Sequence, residues 1–174
     1  MNITDTTPTE SNLSGLDRKD FQKNINSRKT DLYILKNAQG MEVAVTNYGC
    51  AILSIMVPDK NGKFANVILG HDSIEHVINS PEPFLSTTIG RYGNRIANGK
   101  FTLYGEEHQL TVNNGPNSLH GGPTGFHARV WDAVQPNEST VIFNYTSADG
   151  EEGFPGTLEV EMTYRLEDET NALV

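Results

Sequence analysis

The sequence predicts an all-β protein, built as an antiparallel β-sandwich, and three observations support this fold class. Apolar residues recur in short alternating runs, turn-forming residues separate the runs, and helical periodicity is nearly absent. Short alternating strands joined by tight turns are typical of antiparallel sheets that pack one face in a core.

The clearest strand signal lies at residues 157–166. Apolar residues such as Val160 and Met162 alternate there with polar residues such as Glu159 and Glu161. A period of two is typical of a strand with one face in a core and the other in water. The other apolar runs predict further strands at residues 32–35, 41–45, 52–57, 67–69, 130–134 and 141–145.

Turn and helix signals fill the space between these runs. Asn-Gly pairs and other combinations of Gly, Asn, Asp and Pro predict tight turns. Two short helical segments are predicted at residues 16–21 and 73–79, and Ser73 is the expected N-cap of the second. The turns are expected at residues 60–63, 97–100, 104–106, 113–116 and 148–156.

The chain shows one composition change and no internal repeat. Residues 1–28 read as a polar leader with the composition of a flexible segment, and residues 29–174 as a single domain. Residues 167–171 resemble a hairpin turn, and the apolar residues 172–174 resemble the opening of another strand. We therefore expect the sandwich to be incomplete in this chain, with self-association through its unpaired edge as one consequence.

Charge and cysteine content exclude several function classes. Thirteen Lys and Arg against 22 Asp and Glu give a formal charge of -9, which disfavours nucleic acid and anionic membrane surfaces as partners. The single cysteine, Cys50, predicts a small packed residue and agrees with a reducing compartment. No apolar stretch resembles a signal peptide or a membrane span, so we expect a cytoplasmic protein.

Residues 90–101, with the sequence GRYGNRIANGKF, form the first candidate binding segment. Two arginines and two amides stand among three glycines, so backbone and long side-chain donors can converge on a small, oxygen-rich ligand. A glycine-rich turn whose arginines pair with nearby carboxylates fits the same residues. Phosphate binding is disfavoured because neither the G-x-G-x-x-G nor the P-loop pattern is present.

Residues 113–122, with the sequence NNGPNSLHGG, form the second candidate segment. Two glycines follow His120 and leave room for a substrate to approach its imidazole. A hydrogen-bonded structural histidine is the alternative. A metal site that combines His108, His120 and His127 is disfavoured because the spacings match no zinc or iron ligand pattern.

Two further features admit a functional and a structural interpretation. Trp131 with Phe126 resembles an aromatic platform for a sugar, but a single Trp in a strand is usually core, and we predict core. Asp149, Glu151 and Glu152 resemble the paired acids of glycoside hydrolysis. Their setting among Gly and Pro favours a solvated turn.

Five segments in the same order resemble the aldose 1-epimerases, also called galactose mutarotases. The resemblance covers nearly all of residues 30–166 and implies a galactose mutarotase-like antiparallel β-sandwich. It also implies an enzyme that interconverts the α and β anomers of galactose or glucose without metal or organic cofactor. The segments are residues 46–49, 67–70, 90–101, 116–122 with 125, 126 and 131, and 149–156 before a Tyr-bearing strand.

The resemblance also implies roles for individual residues. Asn94 and Arg95 match the family's Asn-Arg pair, which holds sugar hydroxyls, and His120 matches its first active-site histidine, which contacts the substrate. The family's general-acid histidine and general-base glutamate follow later in the family pattern, so the resemblance implies an N-terminal portion that lacks both. A non-catalytic carbohydrate-binding module that retains Asn94, Arg95 and His120 is the alternative.

Overall fold

A computed structural model describes residues 12–174, and residues 1–11 of the predicted leader lie outside the described residues. Strands dominate this part of the chain, and it contains no helix long and apolar enough to cross a membrane. The strands are β1 Asn24–Ile25, β2 Arg28–Lys29, β3 Leu32–Lys36, β4 Glu42–Thr46, β5 Ile52–Pro58, β6 Phe64–Asn66, β7 Arg95–Ile96, β8 Lys100–Leu103, β9 Glu106–Gln109, β10 Ser118–Leu119, β11 Asp132–Asn137, β12 Thr140–Ser147 and β13 Leu158–Arg165. The helical elements are α1, Ile74–Ile78, and 3-10 turns at Arg18–Phe21, Ala97–Gly99, Phe126–Ala128 and Glu151–Gly153.

Two antiparallel sheets form the scaffold. One has the order β3-β4-β5-β6 and the other the order β11-β12-β13. The pairing of β12 with β13 is continuous over eight residue pairs and sets Val141 opposite Tyr164 and Phe143 opposite Met162. The predicted all-β, antiparallel fold class is therefore confirmed.

The two sheets share one hydrophobic core. Val43 and Val45 of β4 lie in it together with Val141 and Phe143 of β12. Ala44, between the two valines, points into a second cluster that packs α1 and the 3-10 turn Arg18–Phe21 against the other face of the first sheet. Because successive strand residues point to opposite faces, β4 is buried on both sides.

Polar contacts attach the segment before β1 to the first sheet. Glu42 of β4 is fully buried, and its carboxylate accepts hydrogen bonds from the backbone N–H groups of Leu13 at 2.8 Å and Ser14 at 2.9 Å. Arg18 donates through two nitrogens to the carboxylate of Asp31, at 2.7 and 2.6 Å. These bonds give the buried carboxylate and the bound backbone the partners that burial requires.

Most predicted elements are present, and one strand was wrongly placed. Helix α1 begins after Ser73, whose Oγ accepts a hydrogen bond from His76 N–H at 3.3 Å, as the predicted cap requires. The strand predicted at residues 67–69 is instead β6, at Phe64–Asn66. The Asn66 side chain accepts hydrogen bonds from the backbone N–H of Ile55 and of Ile68, at 3.0 and 3.2 Å, so Ile55 N–H has a side-chain acceptor. One backbone bond, from Val67 N–H to the Ile55 carbonyl oxygen at 3.0 Å, continues beyond β6.

The hairpin of β8 and β9 was not predicted. Its residues are largely charged and exposed, so no apolar run marks it, although the turn at residues 104–106 was recognised. After β13 the chain reverses as predicted. Backbone hydrogen bonds of 2.8 Å join Arg165 and Val174 in both directions.

Candidate functional site

Two short paired strands bring the candidate segments together. Strand β7 pairs with β10 so that Arg95 lies opposite Leu119, which sets Asn94 beside His120. Asn94 N–H donates to His120 Nδ1 at 2.9 Å, and His120 N–H donates to the Asn94 carbonyl oxygen at 2.9 Å. The segments that the sequence singled out, 26 residues apart, thus meet at a reciprocal pair of hydrogen bonds.

Both residues of this pair have left-handed backbone conformations. The φ angle is 64° at Asn94 and 54° at His120. Asn visits this region more readily than most residues, whereas a histidine there is uncommon. Such strain persists only where the surroundings hold it, and it is typical of ligand-binding and active sites.

The hydrogen bond to Nδ1 fixes what His120 offers to a ligand. Because Nδ1 accepts the Asn94 N–H, the neutral imidazole carries its proton on Nε2. Nε2 is then a hydrogen-bond donor. His120 is half-buried, so a ligand can reach the ring.

Arg95 is exposed and has no carboxylate partner among residues 12–174. Its Nε donates to Asn114 Oδ1 at 2.9 Å, and its Nη1 donates to Asn94 Oδ1 at 3.3 Å. The two amides orient the guanidinium without neutralising it. The alternative of an arginine paired with a carboxylate therefore does not describe Arg95.

Arg91, four residues earlier, has a different role. Its guanidinium donates to four acceptors in the loop that follows β12: Ser147 Oγ at 2.9 Å and the carbonyl oxygens of Ser147, Ala148 and Pro155 at 2.9, 2.8 and 3.0 Å. It also lies 5.9 Å from the ring centroid of Phe154. Arg91 is thus a structural clamp, bound to carbonyl groups instead of carboxylates.

Glu151 and Glu152 of the acidic turn are bonded inward, which corrects the prediction of a solvated turn for these two residues, whereas Asp149 is exposed as predicted. Glu151 accepts hydrogen bonds from Tyr145 Oη and Ser147 Oγ and forms an ion pair with Arg129 at 2.7 Å. Glu152 accepts from the backbone N–H of Thr124 at 3.0 Å and from its hydroxyl. Local composition suggested a solvated turn, but Glu151 has partners in β12 and at Arg129, and Glu152 has its partner at Thr124.

Burial and the bond to Glu151 affect the titration of Tyr145. They raise the pKa of the Tyr145 phenol to about 12, with burial the larger cause. The phenol therefore stays protonated and donates to Glu151 over the physiological pH range. Both groups are engaged in the loop's own network instead of facing a substrate.

Close backbone packing joins the glycine-rich loops. A Cβ atom on Gly121 would overlap the carbonyl oxygen of Gly90, and one on Gly90 would overlap the ring of Phe126. Phe126 N–H donates to Gly90 O at 3.2 Å. Only glycine allows this approach, so the loop bearing Asn94 and Arg95 and the loop bearing His120 have a fixed relative position.

Trp131 and Cys50 are core residues, as predicted. Trp131 is 1% exposed, and its Nε1 donates to the Phe126 carbonyl oxygen at 3.2 Å. Cys50 is fully buried, and burial raises the pKa of its thiol. Neither side chain is placed to contact a ligand.

Phe84 was not predicted, yet it lies against His120. Its ring centroid is 4.8 Å from the His120 ring and 4.5 Å from the His127 ring. His127 is 4% exposed, and its Nδ1 has no hydrogen-bond partner among the described residues. Burial, aided by repulsion from His120, lowers the pKa of His127 to about 4. His127 is therefore neutral at physiological pH.

No group of three or more His, Cys, Asp or Glu side chains within residues 12–174 is arranged as a metal site. The Phe84 ring contacts both His120 and His127. Sequence spacing gave no indication of this aromatic contact, because Phe84 follows Pro83 in a loop without periodicity.

A cleft of about 560 Å³ opens beside this cluster. It shares Phe84 with the ring stack and Asn114 with the Arg95 hydrogen bond. The cleft is lined by Tyr48, Val77, Ile78, Pro81, Glu82, Pro83, Phe84, Asn113, Asn114, Leu119, Pro123, Thr124, His127 and Ala128.

The protein is an antiparallel β-sandwich whose glycine-rich loops present polar side chains. Comparison with known proteins identifies its family. The family model for aldose 1-epimerase matches residues 31–173. The chain therefore belongs to the aldose 1-epimerase family.

Individual relatives agree with this assignment. The chain is 42% identical over 127 residues to a galactose mutarotase from Bos taurus, covering 73% of this chain and 36% of the relative. It is 41% identical over 138 residues to an aldose 1-epimerase from Escherichia coli (strain K12), covering 79% of this chain and 40% of the relative. The chain thus spans between 36 and 40% of the length of these two relatives.

Solved structures show the same fold. An aldose epimerase homologue from C. elegans superimposes with a TM-score of 0.74 at 31% identity, covering 79% of this chain and 42% of that one. A galactose 1-epimerase from Lactobacillus acidophilus NCFM gives a TM-score of 0.73 at 30% identity, covering 84% of this chain and 43% of that one. The galactose mutarotase-like form of the predicted sandwich is therefore confirmed.

Proposed function

We propose that this chain forms the substrate-holding part of an aldose 1-epimerase that interconverts the α and β anomers of an aldohexose such as galactose or glucose. The observation that carries the proposal is the reciprocal pair of hydrogen bonds between Asn94 and His120. Asn94 also accepts a hydrogen bond from Arg95 Nη1 at 3.3 Å, so it contacts both His120 and Arg95. Membership of the aldose 1-epimerase family supports the same assignment.

The reaction itself requires two proton transfers. A base takes the proton from the anomeric hydroxyl, an acid protonates the ring oxygen, and the ring opens. The bond between C1 and C2 rotates, and closure reverses the transfers to give the other anomer. The bond between C1 and the ring oxygen breaks and reforms with no net change of oxidation state, so the chemistry needs no redox cofactor.

Each proposed site residue has a role in this scheme. Arg95 offers a planar set of donors to sugar hydroxyls, and the Asn94 amide can donate to or accept from them. His120 donates through Nε2 to a sugar oxygen and stabilises negative charge that develops on it. Because its Nδ1 is already engaged, His120 supports the reaction and is not its general base.

We further propose that the general acid and general base lie outside these 174 residues. Supporting this, the chain matches 36 to 40% of the length of its two relatives. The described site contains donors suited to holding a sugar. Glu151 and Glu152, which the sequence singled out as candidate acids, are engaged by Tyr145, Ser147 and Thr124.

Location and assembly are also part of the proposal. The single, buried Cys50 fits a reducing compartment, and we place the protein in the cytoplasm, which cell fractionation tests.

Within the described chain, most of the β13 edge opposite β12 is unpaired. We propose self-association through this edge, and sedimentation over a range of concentrations measures it.

Sugar binding tests the site directly. Titrating the isotope-labelled chain with galactose is expected to shift the amide resonances of Asn94, Arg95 and His120 in a saturable way. His120→Ala and Arg95→Met are each expected to weaken binding at least about tenfold because a charged or directed donor is lost. Galactitol, which has no ring, is the control ligand. The absence of saturable shifts at these residues would refute the proposed site.

Polarimetry tests where the acid and base lie. With freshly dissolved α-D-galactose, this chain alone is expected to leave the spontaneous rate of mutarotation unchanged. A polypeptide that supplies the rest of a relative's length is expected to restore turnover. A chain that binds galactose but stays inactive with that polypeptide would be a non-catalytic carbohydrate-binding module. An enzyme-like rate from the chain alone, abolished by His120→Ala, would place the catalytic groups within it.

A further inference from the structure

Asn114 and Gly115 form an Asn-Gly pair at the edge of the proposed sugar site. They lie in a tight turn in which the backbone groups of Asn114 and Asn117 bond each other at 3.0 and 3.1 Å. Asn114 Oδ1 also accepts the 2.9 Å hydrogen bond from Arg95 Nε. A chemical change at the Asn114 side chain would therefore act directly on the guanidinium of Arg95.

The backbone at Gly115 suits an attack on the preceding side chain. Gly115 is exposed, and apart from its chain neighbours no atom lies within 4 Å of the position that a Cβ atom would take. Within residues 12–174, no acceptor receives a hydrogen bond from the Gly115 N–H. Without a Cβ, a glycine nitrogen can approach closely, so the Gly115 nitrogen is both unhindered and unengaged.

Arg95 favours the attack from the other side. When a nitrogen adds to an amide carbon, negative charge develops on the amide oxygen, and a positioned cationic donor stabilises that charge. Arg95 Nε donates to this oxygen of Asn114, Oδ1. The Asn114 Nδ2, which would leave, makes no hydrogen bond within the described part of the chain. The side chain is therefore held at the atom that gains charge and is free at the atom that departs.

We propose that Asn114 is a deamidation site and that its acidic product pairs with Arg95 and weakens the proposed sugar site. The Gly115 nitrogen forms a bond to Asn114 Cγ, and the bond between Cγ and Nδ2 breaks. The proton of the Gly115 N–H passes through solvent to the departing ammonia. Water then opens the five-membered imide and leaves aspartate or isoaspartate at position 114. No electron is transferred, and water is the only co-reactant.

The product changes the electrostatics of Arg95. In the unaltered chain two amides, from Asn94 and Asn114, orient the guanidinium and leave its charge uncompensated. A carboxylate at position 114 forms a charge-assisted hydrogen bond with it and competes with sugar hydroxyls for the same donors. This effect on binding rests on the proposed function, whereas the deamidation itself does not.

Peptide mapping by mass spectrometry tests the modification. During incubation of the folded chain in mildly alkaline buffer, Asn114 is expected to deamidate at least about tenfold faster than Asn61 and Asn98, which also precede glycines. The Gly62 N–H donates a backbone hydrogen bond of 2.9 Å and Gly99 is buried, so neither nitrogen is as free to attack. In urea the three rates are expected to converge. An equal or slower rate at Asn114 in the folded chain, or a lead that persists in urea, would overturn the proposal.

Two variants test the roles of Arg95 and Gly115 in this reaction. Arg95→Met removes the donor to Oδ1 and is expected to slow deamidation at Asn114 about tenfold. Gly115→Ala, which has room for its Cβ, hinders the nitrogen and is expected to slow it as well. Arg165→Met, at the exposed end of β13, is the matched control and is expected to keep the rate of the unaltered chain. A rate that is unchanged in either test variant would overturn the proposal.

Asn114→Asp carries the charge of the product and tests its effect on the site. It is expected to weaken galactose binding about tenfold, which corresponds to about 1.4 kcal/mol. Asn61→Asp adds the same charge in an exposed turn and is expected to leave the dissociation constant unchanged. Equal dissociation constants for Asn114→Asp and the unaltered chain would overturn the proposed effect on the site. If the unaltered chain itself gives no saturable shift with galactose, the proposed function fails and this effect fails with it, whereas the mapping still decides whether Asn114 deamidates.

Discussion

Asn94 and His120 show how single residues set the geometry of the site. Each has a positive φ angle, and each holds the other through a backbone donor. An asparagine side chain is short and tolerates this conformation, whereas His120 depends on the two hydrogen bonds to stay in it. Both residues of the proposed binding pair are therefore held in a strained backbone conformation.

Substitutions at Asn94 separate its backbone from its side chain. Asn94→Gly keeps the left-handed backbone without strain, whereas Asn94→Ala imposes a Cβ that disfavours it. We expect the alanine variant to be less stable than the glycine variant by about 1 kcal/mol in urea unfolding. Both variants lose the amide and are expected to bind galactose more weakly than the unaltered chain.

One control variant belongs with this experiment. Asn61→Ala lies in an exposed turn away from the site and is expected to leave galactose binding unchanged. Equal stability of the Asn94→Gly and Asn94→Ala variants would show that backbone strain at residue 94 is negligible.

At the scale of elements, three loops behave as one unit. Arg91 binds the loop that follows β12, Glu152 binds Thr124 in the loop after β10, and Gly121 packs on Gly90. None of these loops contains a long strand or helix of its own. Their shape therefore depends on contacts between them. The positions of the site residues depend on the same contacts.

Arg91→Lys tests this dependence. A lysine ammonium keeps the charge but cannot reproduce the planar fork that reaches Ser147, Ala148 and Pro155 together. We expect a loss of about 1 to 3 kcal/mol in the free energy of unfolding. We also expect faster hydrogen exchange at the amides of Gly150 and Phe154, which are bonded within the loop.

Arg165→Lys is the matched control. Arg165 is exposed at the end of β13, and its ion pair with Glu167 spans 3.6 Å. An exposed pair of this kind contributes little, so the stability and the exchange of the loop are expected to stay unchanged. If Arg91→Lys behaved like this control, the clamp would have no measurable role.

At the scale of the whole molecule, the stability of the fold depends on residues that are buried beside the site. Strand β4 contributes to both hydrophobic clusters, so the two sheets and α1 depend on one another. His127 is buried beside Phe84, and its ring must stay neutral there. The protonation of one site histidine is therefore coupled to unfolding of the chain.

The stability of the chain should consequently depend on pH through His127. Its pKa is about 4 when folded and near 6.5 when unfolded, so only the unfolded state takes up this proton between those values. Stability is expected to fall as the pH falls from about 6.5 to about 4. In His127→Gln the fall is expected to be shallower, with about one proton fewer taken up on unfolding at most.

Urea unfolding across this pH range measures the effect. Nearby charges at Glu152 and Arg129 and the ring of His120 are the same in both proteins, so the difference isolates His127. His71→Gln, at a half-exposed loop position, is the control and is expected to keep the slope of the unaltered chain. An unchanged slope in His127→Gln would contradict the buried, neutral histidine.

Sequence patterns were sufficient for much of the scaffold. The alternation in β13 and the Ser73 cap are local signals, and both elements formed where they were predicted. Two predictions failed, for different reasons: the strand near Asn66 was misplaced, and the β8–β9 hairpin was not detected. In the first, the Asn66 side chain accepts the hydrogen bond from Ile55 N–H, and in the second, exposed polar residues gave no apolar run.

The candidate site also has features that the sequence predicted and features that only the structure shows. The sequence by itself determined the family and singled out Asn94, Arg95 and His120, because glycine-rich segments in a fixed order are visible without coordinates. Their roles in binding a sugar remain predictions. Only the tertiary structure decided that Asn94 and His120 bond each other, that Phe84 lies against His120, and that Glu152 accepts a hydrogen bond from Thr124. These contacts join residues far apart in the chain, so no local pattern specifies them.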